Sequence, residues 1–378
     1  MFSSSDLDEV LAVETQPAVS LYLPTHLAGR EIRQDPIRLK NLLADAAERL
    51  GATHRGPEIE ALLDPARALV DDEAFWQHQQ QGLAIFLAPG FARTHKLPIA
   101  VAEELVVGRY PHIKPLLPLT EEAGPFWLLT ITARHTRLYH GSRWSFAECT
   151  GLDLPRGIAE IRGQTDYEEG HRAAPGGRHG GLAKAQSLGQ APDEIRKTEL
   201  IELLRRVAAA VEPEVKRNPA PVILAANSEI RGHFREIAGW KEILGDGVDE
   251  NPDALREEEL HASAYALIEQ KQSAARGAAL DRLNARLGSA QATTKPDDIV
   301  RAARYARIDT LFLCGDEHLW GEFDEGADRI VAHQSAAAGD VDLLDYAALM
   351  TLRQGGRVML VDRPALPPPG LAAAILRY

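Results

Sequence analysis

Residues 171–190 read HRAAPGGRHGGLAKAQSLGQ, and the chain continues from residue 192 with PDEIRKTELIELLRRVAAAV. Five of the first twenty residues are glycine, so the backbone can adopt positive φ at many points and a packed element is not expected. The same segment carries three Lys or Arg side chains and no carboxylate. The following residues combine an acidic first turn with apolar positions near helical spacing. The pattern predicts a mobile, basic loop attached to a rigid helix, and we call residues 171–190 the basic loop.

The basic loop is predicted to contact RNA or a protein partner through its cations and its glycine backbone. The candidate contact residues are Arg172, Gly176, Gly177, Arg178, His179, Gly180, Gly181, Lys184, Gly189 and Gln190. Gln190 is also a candidate catalytic residue, because a glutamine amide on a flexible backbone can position a water near an ester carbonyl. The alternatives are a solvated, disordered loop and, for Gly189-Gln190, a plain connection into the helix.

Composition sets the broad class of the protein. A length of 378 residues suggests two to three domains, and 45% hydrophobic and 26% charged residues are typical of globular proteins. The sequence lacks an apolar run of the roughly 20 residues that span a bilayer, and it begins without a signal-peptide pattern. Cys149 and Cys314 lie far apart and indicate no disulfide framework. We therefore expect a cytoplasmic protein without a membrane partner.

The charge balance limits the contacts with nucleic acid. Forty-two Lys and Arg face 55 Asp and Glu, which leaves a net charge of −13. A protein whose whole surface follows a phosphate backbone would be basic, so no DNA partner is expected and any RNA contact must be local. The sequence contains no signal for an oligomeric state.

Alternating helix and strand signals predict an α/β fold with three domains. The predicted domains are an α/β N-terminal domain at residues 1–118, a mixed middle domain at 119–248 and a layered α/β/α C-terminal domain at 249–378. The Pro-rich stretch 110–119 and the turn-forming stretch 246–252 are the predicted boundaries. Strands are predicted at 18–23, 82–87, 91–97, 104–107, 126–132, 136–140, 143–148, 221–226, 309–313 and 357–361. Helices are predicted from 35 to about 50 and at 57–70, 192–211, 227–239, 253–287, 297–306 and 341–352.

Other catalytic and metal-binding patterns are weaker. Gly176 and Gly181 have the spacing of a phosphate-binding loop, but Leu182 stands where lysine is required. Cys314 and His318 are four residues apart, yet a buried cysteine at a strand end and a surface histidine explain them better than a metal site. Asp153, Asp166, Glu168 and Glu169 could serve a two-metal nuclease only if strands fixed them around the ions. GxSxG and HExxH patterns are missing. No metal and no cofactor are expected.

Several segments resemble one family of translation proteins. IVRAARYARIDTLFLCGDE (299–317), GGRVMLV (355–361) and GLAAAILRY (370–378) resemble the C-terminal domain of archaeal and eukaryotic class-one peptide-chain release factors and of Pelota. PVILAANSEIRGHFREI (221–237) is similar to the RNase-H-like second domain of those proteins. VSLYLPTH (19–26) and QDPIRLKNLL (34–43) look like the bacterial branch, the bacterial archaeo-eukaryotic release-factor-like proteins.

The resemblance implies a ribosome-associated release or rescue factor, with rRNA contacted through the basic loop. In the related factors a Gly-Gly-Gln loop precedes the long helix of the second domain, and the basic loop occupies that place here. The sequence contains no Gly-Gly-Gln and no Asn-Ile-Lys-Ser codon-reading signature, so peptide release and codon reading do not carry over. The alternative is an acidic cytosolic scaffold or small-ligand-binding protein that keeps the fold without binding ribosomes.

Overall fold

The structure, a computed structural model, describes residues 4–27, 29–121, 123–162, 192–324, 326–333, 340–368 and 370–378. The chain divides into two compact units. Unit 1 comprises Met1–Glu122 and Ala275–Tyr378, and unit 2 comprises Ala123–Ala274. The N-terminal and C-terminal segments, which the sequence assigns to separate domains, are thus grouped in one unit.

The N-terminal part of unit 1 is an antiparallel sheet covered by helices. Its elements are α1 (Ser4–Leu11), β1 (Ala18–Pro24), α2 (Asp35–Gly51), α3 (Gly56–Arg67), α4 (Glu73–Gln77), β2 (Gly82–Ala88), β3 (Phe91–Leu97), β4 (Glu104–Gly108) and α5 (Leu117–Glu121). The strand order is β3-β2-β1-β4. The central strands β1 and β2 are almost continuously apolar and buried, as expected for strands covered on both faces.

Alternation along β1 separates two packing environments. Val19, Leu21 and Leu23 face the apolar core formed with α2 and α3. Ser20 and Tyr22 point to the opposite face, where Tyr22 Oη donates a hydrogen bond to the carbonyl of His112 at 2.6 Å and Ser20 Oγ accepts one from the His112 N–H at 2.9 Å. The second face of the sheet therefore holds the segment that follows β4.

The C-terminal part of unit 1 contains two more sheets. Its elements are β9 (Ala292–Thr293), α9 (Pro296–Arg304), β10 (Ile308–Leu313), β11 (Trp320–Asp324), β12 (Arg329–Ala332), β13 (Val341–Asp342), α10 (Leu343–Arg353), β14 (Arg357–Leu360) and β15 (Ala372–Leu376). The strand orders are β14-β10-β15-β9 and β12-β11-β13. Ala279 and Leu283 pack against Phe312 and Ile375 in the core of the first sheet.

Unit 2 is a sheet with a helical layer on each face. Its elements are β5 (Phe126–Ile131), β6 (Thr136–Gly141), β7 (Phe146–Glu148), α6 (Pro192–Arg217), β8 (Val222–Ala225) and α7 (Ser228–Ala238). The helix α8 (Glu257–Arg286) begins in this unit. The strand order is β7-β6-β5-β8, with β8 parallel to β5. One face packs against α6 and α7, and the other packs against Leu260, Ala264 and Ile268 of α8.

The mixed α/β class and most predicted strands and helices are confirmed, with ends that differ by a few residues. The sheet β12-β11-β13 and the terminal strand β15 were not predicted. Within the stretch 246–252, which is the second predicted boundary, Val248 forms a bridge to Ala225 of β8. The division into three domains stays a prediction. Among the helices within the described residues, none has the length and hydropathy to cross a membrane.

Candidate functional site

The residues of the basic loop lie outside the part of the chain that the structure describes. This applies to every predicted contact residue, namely Arg172, Gly176, Gly177, Arg178, His179, Gly180, Gly181, Lys184, Gly189 and Gln190. The structure does describe the residues on both sides, up to Arg162 and from Pro192 onward. We call this region, made of residues 132–135, 155–162 and 196–200, the loop base.

The helix α6 gives the loop base its rigid side. Leu203, Leu204, Val207 and Val211 are fully buried and recur at helical spacing against the sheet. Burial of a leucine or valine side chain contributes roughly 1.5–3 kcal/mol each, so this face holds α6 firmly on unit 2. The sequence-based prediction of a helix directly after the basic loop is confirmed.

A bidentate ion pair joins the two sides of the loop base. Arg162 donates from Nε to both carboxylate oxygens of Glu199 at 2.8 Å and from Nη2 to Oε2 at 2.7 Å. The Glu199 side chain is 16% exposed and the Arg162 side chain 54%. Arg162 is the last described residue before the basic loop, and Glu199 lies in the second turn of α6. The contact therefore ties the last described residue before the basic loop to the second turn of the helix that follows it.

The turn between β5 and β6 packs against the same region. The N–H of Ile158 donates to the Ala133 carbonyl at 3.1 Å, and Thr136 Oγ1 donates to the carbonyl of Pro155. A Cβ atom at Gly157 would lie 2.6 Å from the Ala133 carbonyl oxygen and 2.8 Å from the Arg134 backbone, so only glycine fits. This close backbone approach places Arg134 beside Arg156.

The charges at the loop base are mixed but include several available cations. Arg134, Arg156 and Lys197 are exposed, and no ion pair involves their side chains among the residues that the structure covers. Acidic groups lie there too, since His135 Nδ1 is 3.2 Å from Asp253 Oδ1 and Arg162 is neutralised by Glu199. Unpaired arginine and lysine side chains on a rigid scaffold can hold phosphate oxygens. The loop base therefore has the side chains to bind an anion.

The metal-site alternatives find no support in the described ranges. Asp153 is exposed, while Asp166, Glu168 and Glu169 lie outside the described residues. Within the described ranges no group of three or more His, Cys, Asp or Glu side chains is placed to hold a metal. Cys314 is buried just after β10 and His318 is exposed, with Nδ1 2.8 Å from Asp342 Oδ2, which agrees with the interpretation as a buried cysteine at a strand end and a surface histidine.

A buried ion network, which was not predicted, lies on the second face of the sheet in unit 1. His112 is 2% exposed and lies between two carboxylates, with Nδ1 3.3 Å from Asp345 Oδ2 and Nε2 3.5 Å from Glu104 Oε2. Asp345 Oδ1 also accepts hydrogen bonds from the backbone N–H groups of Ile113 and Lys114 at 2.8 and 2.6 Å. Burial alone lowers the pKa of His112, but Asp345 and Glu104 outweigh it and raise that pKa to about 10. His112 is therefore a cation at neutral pH.

The same network continues to the start of α10. Asp342 caps this helix by accepting from the Leu344 N–H at 3.0 Å, and its Oδ2 lies 3.2 Å from Lys114 Nζ and 2.8 Å from His318 Nδ1. Burial raises the pKa of Asp342, while the His318 hydrogen bond and the Lys114 charge lower it more, to about 2. From the sequence, residues 110–119 are predicted to be a domain boundary and give no sign of this network, because sequence spacing cannot indicate partners more than 200 residues away. The network links the segment after β4 to the start of α10, and His318 is its exposed member.

The chain matches the model of Bacterial archaeo-eukaryotic release factor family 3 over residues 125–307. A search of curated proteins returned no match. Solved structures that match this chain include archaeal translation termination factor aRF1, at 13% identity over 98% of this chain and 96% of that chain, with a TM-score of 0.25. They also include a ribosome-bound archaeal Pelota (12%, 76% and 72%, TM-score 0.41) and S. cerevisiae Dom34 (11%, 76% and 73%, TM-score 0.38). With TM-scores below 0.5, these structures assign no residue or activity to this chain.

The matched range includes β5 to β8, the loop base, the basic loop and α8. It therefore covers the region in which the sequence places its functional residues. Residues 125–307 of this chain are thus similar to the bacterial archaeo-eukaryotic release-factor family.

Proposed function

We propose that this protein is a cytoplasmic, ribosome-associated factor that contacts rRNA through the basic loop. The observation that carries the proposal is the family match over residues 125–307, which includes both the loop and the helix that follows it. The basic loop carries three cations and no carboxylate, whereas the protein as a whole has a net charge of −13. The loop is therefore a local concentration of positive charge in an acidic protein. Such a local concentration of positive charge suits a phosphate backbone.

The loop base supports the same proposal. The Arg162–Glu199 pair ties the segment before the basic loop to the rigid helix α6 after it, and the loop base also holds the exposed cations Arg134, Arg156 and Lys197. A loop anchored at both ends on one rigid surface loses less conformational freedom on binding than a free chain end. The middle region is proposed to be RNase-H-like, because a three-stranded meander is followed by a helix and a parallel strand beside β5.

Peptide release is not part of the proposal, because no Gly-Gly-Gln is present. Gln190 remains the candidate for any hydrolytic activity. Peptidyl-tRNA hydrolysis by the wild-type protein and by Gln190→Ala on ribosome complexes tests that candidate, and a loss of activity with unchanged binding would assign it a catalytic role.

Co-sedimentation with bacterial ribosomes over a salt series tests the main proposal. Binding should be strong at low salt, and log K should fall linearly with log salt, by about 0.7 to 0.9 for each phosphate neutralised. Absence of binding at low salt contradicts the proposal and favours the scaffold alternative.

A further inference from the structure

An open cleft of about 450 Å³ lies at one end of the sheet β3-β2-β1-β4 in unit 1. The end of α2, the start of α3, the turn between β2 and β3 and the residues before β1 form its walls. The apolar side chains of the lining are Pro17, Leu50, Ile59, Ala61, Leu62, Ala88 and Pro89. The size is within the range of roughly 300–1,000 Å³ that is typical of small-molecule sites.

The floor of the cleft is part of the rigid core of this sheet. Leu50 and Ile59 are 1% and 6% exposed and pack in the same core as β1 and β2. The turn after β2 forms part of the rim and contains Gly90, whose φ of 79° favours glycine. Because glycine has no side chain, the rim is open at this turn. The concavity is thus built from packed helices and a tight turn, so it exists before any ligand enters.

The lining of the cleft carries negative charge and no positive charge from Lys or Arg. Glu58 is the only charged carboxylate in the lining, which contains no Lys or Arg. One of its oxygens accepts a long hydrogen bond from the Arg55 N–H at 3.4 Å, and within the described part of the chain no group bonds to Oε1. His54 uses Nδ1 for Thr53 Oγ1 at 2.8 Å, which leaves Nε2 for another partner. Gln16 adds an amide.

We propose that this cleft binds a small organic cation, an ammonium group on an alkyl or aryl body. The ammonium would donate to Glu58, and the apolar body would lie against Leu50, Ile59 and Leu62. An anion would meet the Glu58 carboxylate without any lining cation to balance it. A charge-assisted hydrogen bond is roughly twice as strong as a neutral one, so charge should decide which ligand binds. This site is independent of the basic loop and of ribosome binding.

The test is methyl NMR of the full-length protein, labelled at Ile and Leu, with hexylamine, hexanol and hexanoate as probes of equal chain length. Hexylammonium should shift the methyl signals of Leu50, Ile59 and Leu62 and leave those of Ile308 unchanged. Glu58→Gln should weaken hexylammonium binding about fivefold or more and leave hexanol binding as it is.

Two further variants separate the site from its surroundings. Ala61→Phe places a ring in the cleft from an exposed lining position and should abolish binding. Glu60→Gln removes an exposed carboxylate that is on the same helix but outside the lining, and should bind like wild type. The proposal is overturned if hexylammonium causes no shift, if hexanol and hexanoate bind as tightly, or if Glu58→Gln binds hexylammonium with unchanged affinity.

Discussion

The His112 imidazole and the Asp345 carboxylate are in contact, with Nδ1 3.3 Å from Oδ2, although they come from opposite parts of the sequence. Both side chains are buried. The pair lies where the segment after β4 meets the start of α10, and Glu104 approaches the imidazole from its other nitrogen. A buried cation between the buried Asp345 and the partly exposed Glu104 therefore links the N-terminal and C-terminal parts of unit 1, and its removal would leave the Asp345 carboxylate with only the two backbone N–H donors.

The first prediction concerns alkaline pH. The folded-state pKa of His112 is raised to about 10 from 6.5, so the proton bound in the folded state stabilises unit 1 fully below pH 6.5. This stabilisation should be lost progressively between pH 6.5 and pH 10, and it should amount to a few kcal/mol. Urea unfolding of the wild type and of His112→Gln should show a large difference in stability at pH 6 that shrinks towards pH 10.

His54→Gln is the matched control, because His54 lies near the surface in the same unit and no carboxylate is bonded to it within the described residues. Its effect on the free energy of unfolding should be small at all pH values. A constant stability difference between wild type and His112→Gln from pH 6 to pH 10 would show that His112 is not a buried cation.

The second prediction concerns acid pH and the cap of α10. Because the pKa of Asp342 is lowered to about 2 from 3.8, its stabilising effect is complete above pH 3.8 and is lost as the pH falls towards 2. Asp342→Asn also leaves Lys114 with no buried counter-charge at 3.2 Å. A loss of about 3–5 kcal/mol is typical when one partner of a buried pair is removed, and we expect it here at pH 7. Thermal unfolding at pH 7 and pH 2.5 measures this loss of stability. The control is Asp298→Asn, which changes an exposed carboxylate. Equal melting temperatures for the Asp342→Asn and Asp298→Asn proteins at pH 7 would contradict a stabilising role of Asp342.

The regular elements could be predicted because their signals are local. Continuous apolar runs marked β1 and β2, and helical spacing with Pro36 in the first turn marked α2. The sheet β12-β11-β13 was missed because its strands are two to five residues long and partly exposed, and thus lack the period-two pattern. The grouping of residues 1–122 with 275–378 depends on contacts between distant segments, which no window of sequence contains.

In the candidate site, too, features with a local sequence signal could be predicted, and contacts between distant residues could not. Composition and glycine content predicted the basic loop, which lies outside the described residues, and the resemblance pointed to the family whose model matches residues 125–307. The pairing of Arg162 with Glu199 could not be predicted, because each is an ordinary charged residue and their contact arises only when α6 packs on the sheet. Lys114 and Asp345 likewise resemble surface residues in the sequence, although both are buried.

The third prediction is the strength of the Arg162–Glu199 pair. Its geometry is bidentate, but Arg162 is about half exposed, so solvent screens the interaction. A double-mutant cycle with Arg162→Ala and Glu199→Ala should give a coupling of about 0.5–1 kcal/mol. The Glu202–Arg206 pair on the same helix has a single 2.9 Å contact and should couple more weakly. The measurement is chemical unfolding, and a coupling no larger than that of Glu202–Arg206 would mean that the loop base is not held by this pair.

The fourth prediction contrasts two glycines of unit 2. Gly157→Ala would push a methyl group to 2.6 Å from a backbone oxygen that cannot move freely, and should destabilise the protein by about 1–3 kcal/mol. Gly232→Ala lies inside α7, where nothing is within 4 Å of the new methyl group, and should stabilise by roughly 0.5–1 kcal/mol. Opposite signs in the change of melting temperature are expected. A Gly157→Ala protein as stable as the wild type would show that the turn between β5 and β6 does not depend on this close approach.

The fifth prediction connects charge with ribosome binding. If the basic loop contacts rRNA, the combined change of Arg172, Arg178 and Lys184 to alanine should weaken binding and flatten its salt dependence together. Each lost phosphate contact should reduce the slope of log K against log salt by up to about 0.7–0.9. Few other groups can compensate, because the protein as a whole carries a net charge of −13. Co-sedimentation with ribosomes at several salt concentrations measures both quantities.

A matched variant decides whether position or net charge matters. The combined change of Arg33, Lys40 and Arg329 to alanine removes the same number of exposed cations from unit 1. It alters the long-range attraction of the protein to ribosomes by a similar amount but leaves the basic loop intact, so its salt slope should stay close to the wild-type value. If both triple variants lose affinity and slope equally, ribosome binding would reflect net charge only, and the basic loop would not be the contact site. If the loop variant alone binds with unchanged slope, the phosphate contacts must come from other residues, and Arg134, Arg156 and Lys197 of the loop base are then the next to be tested.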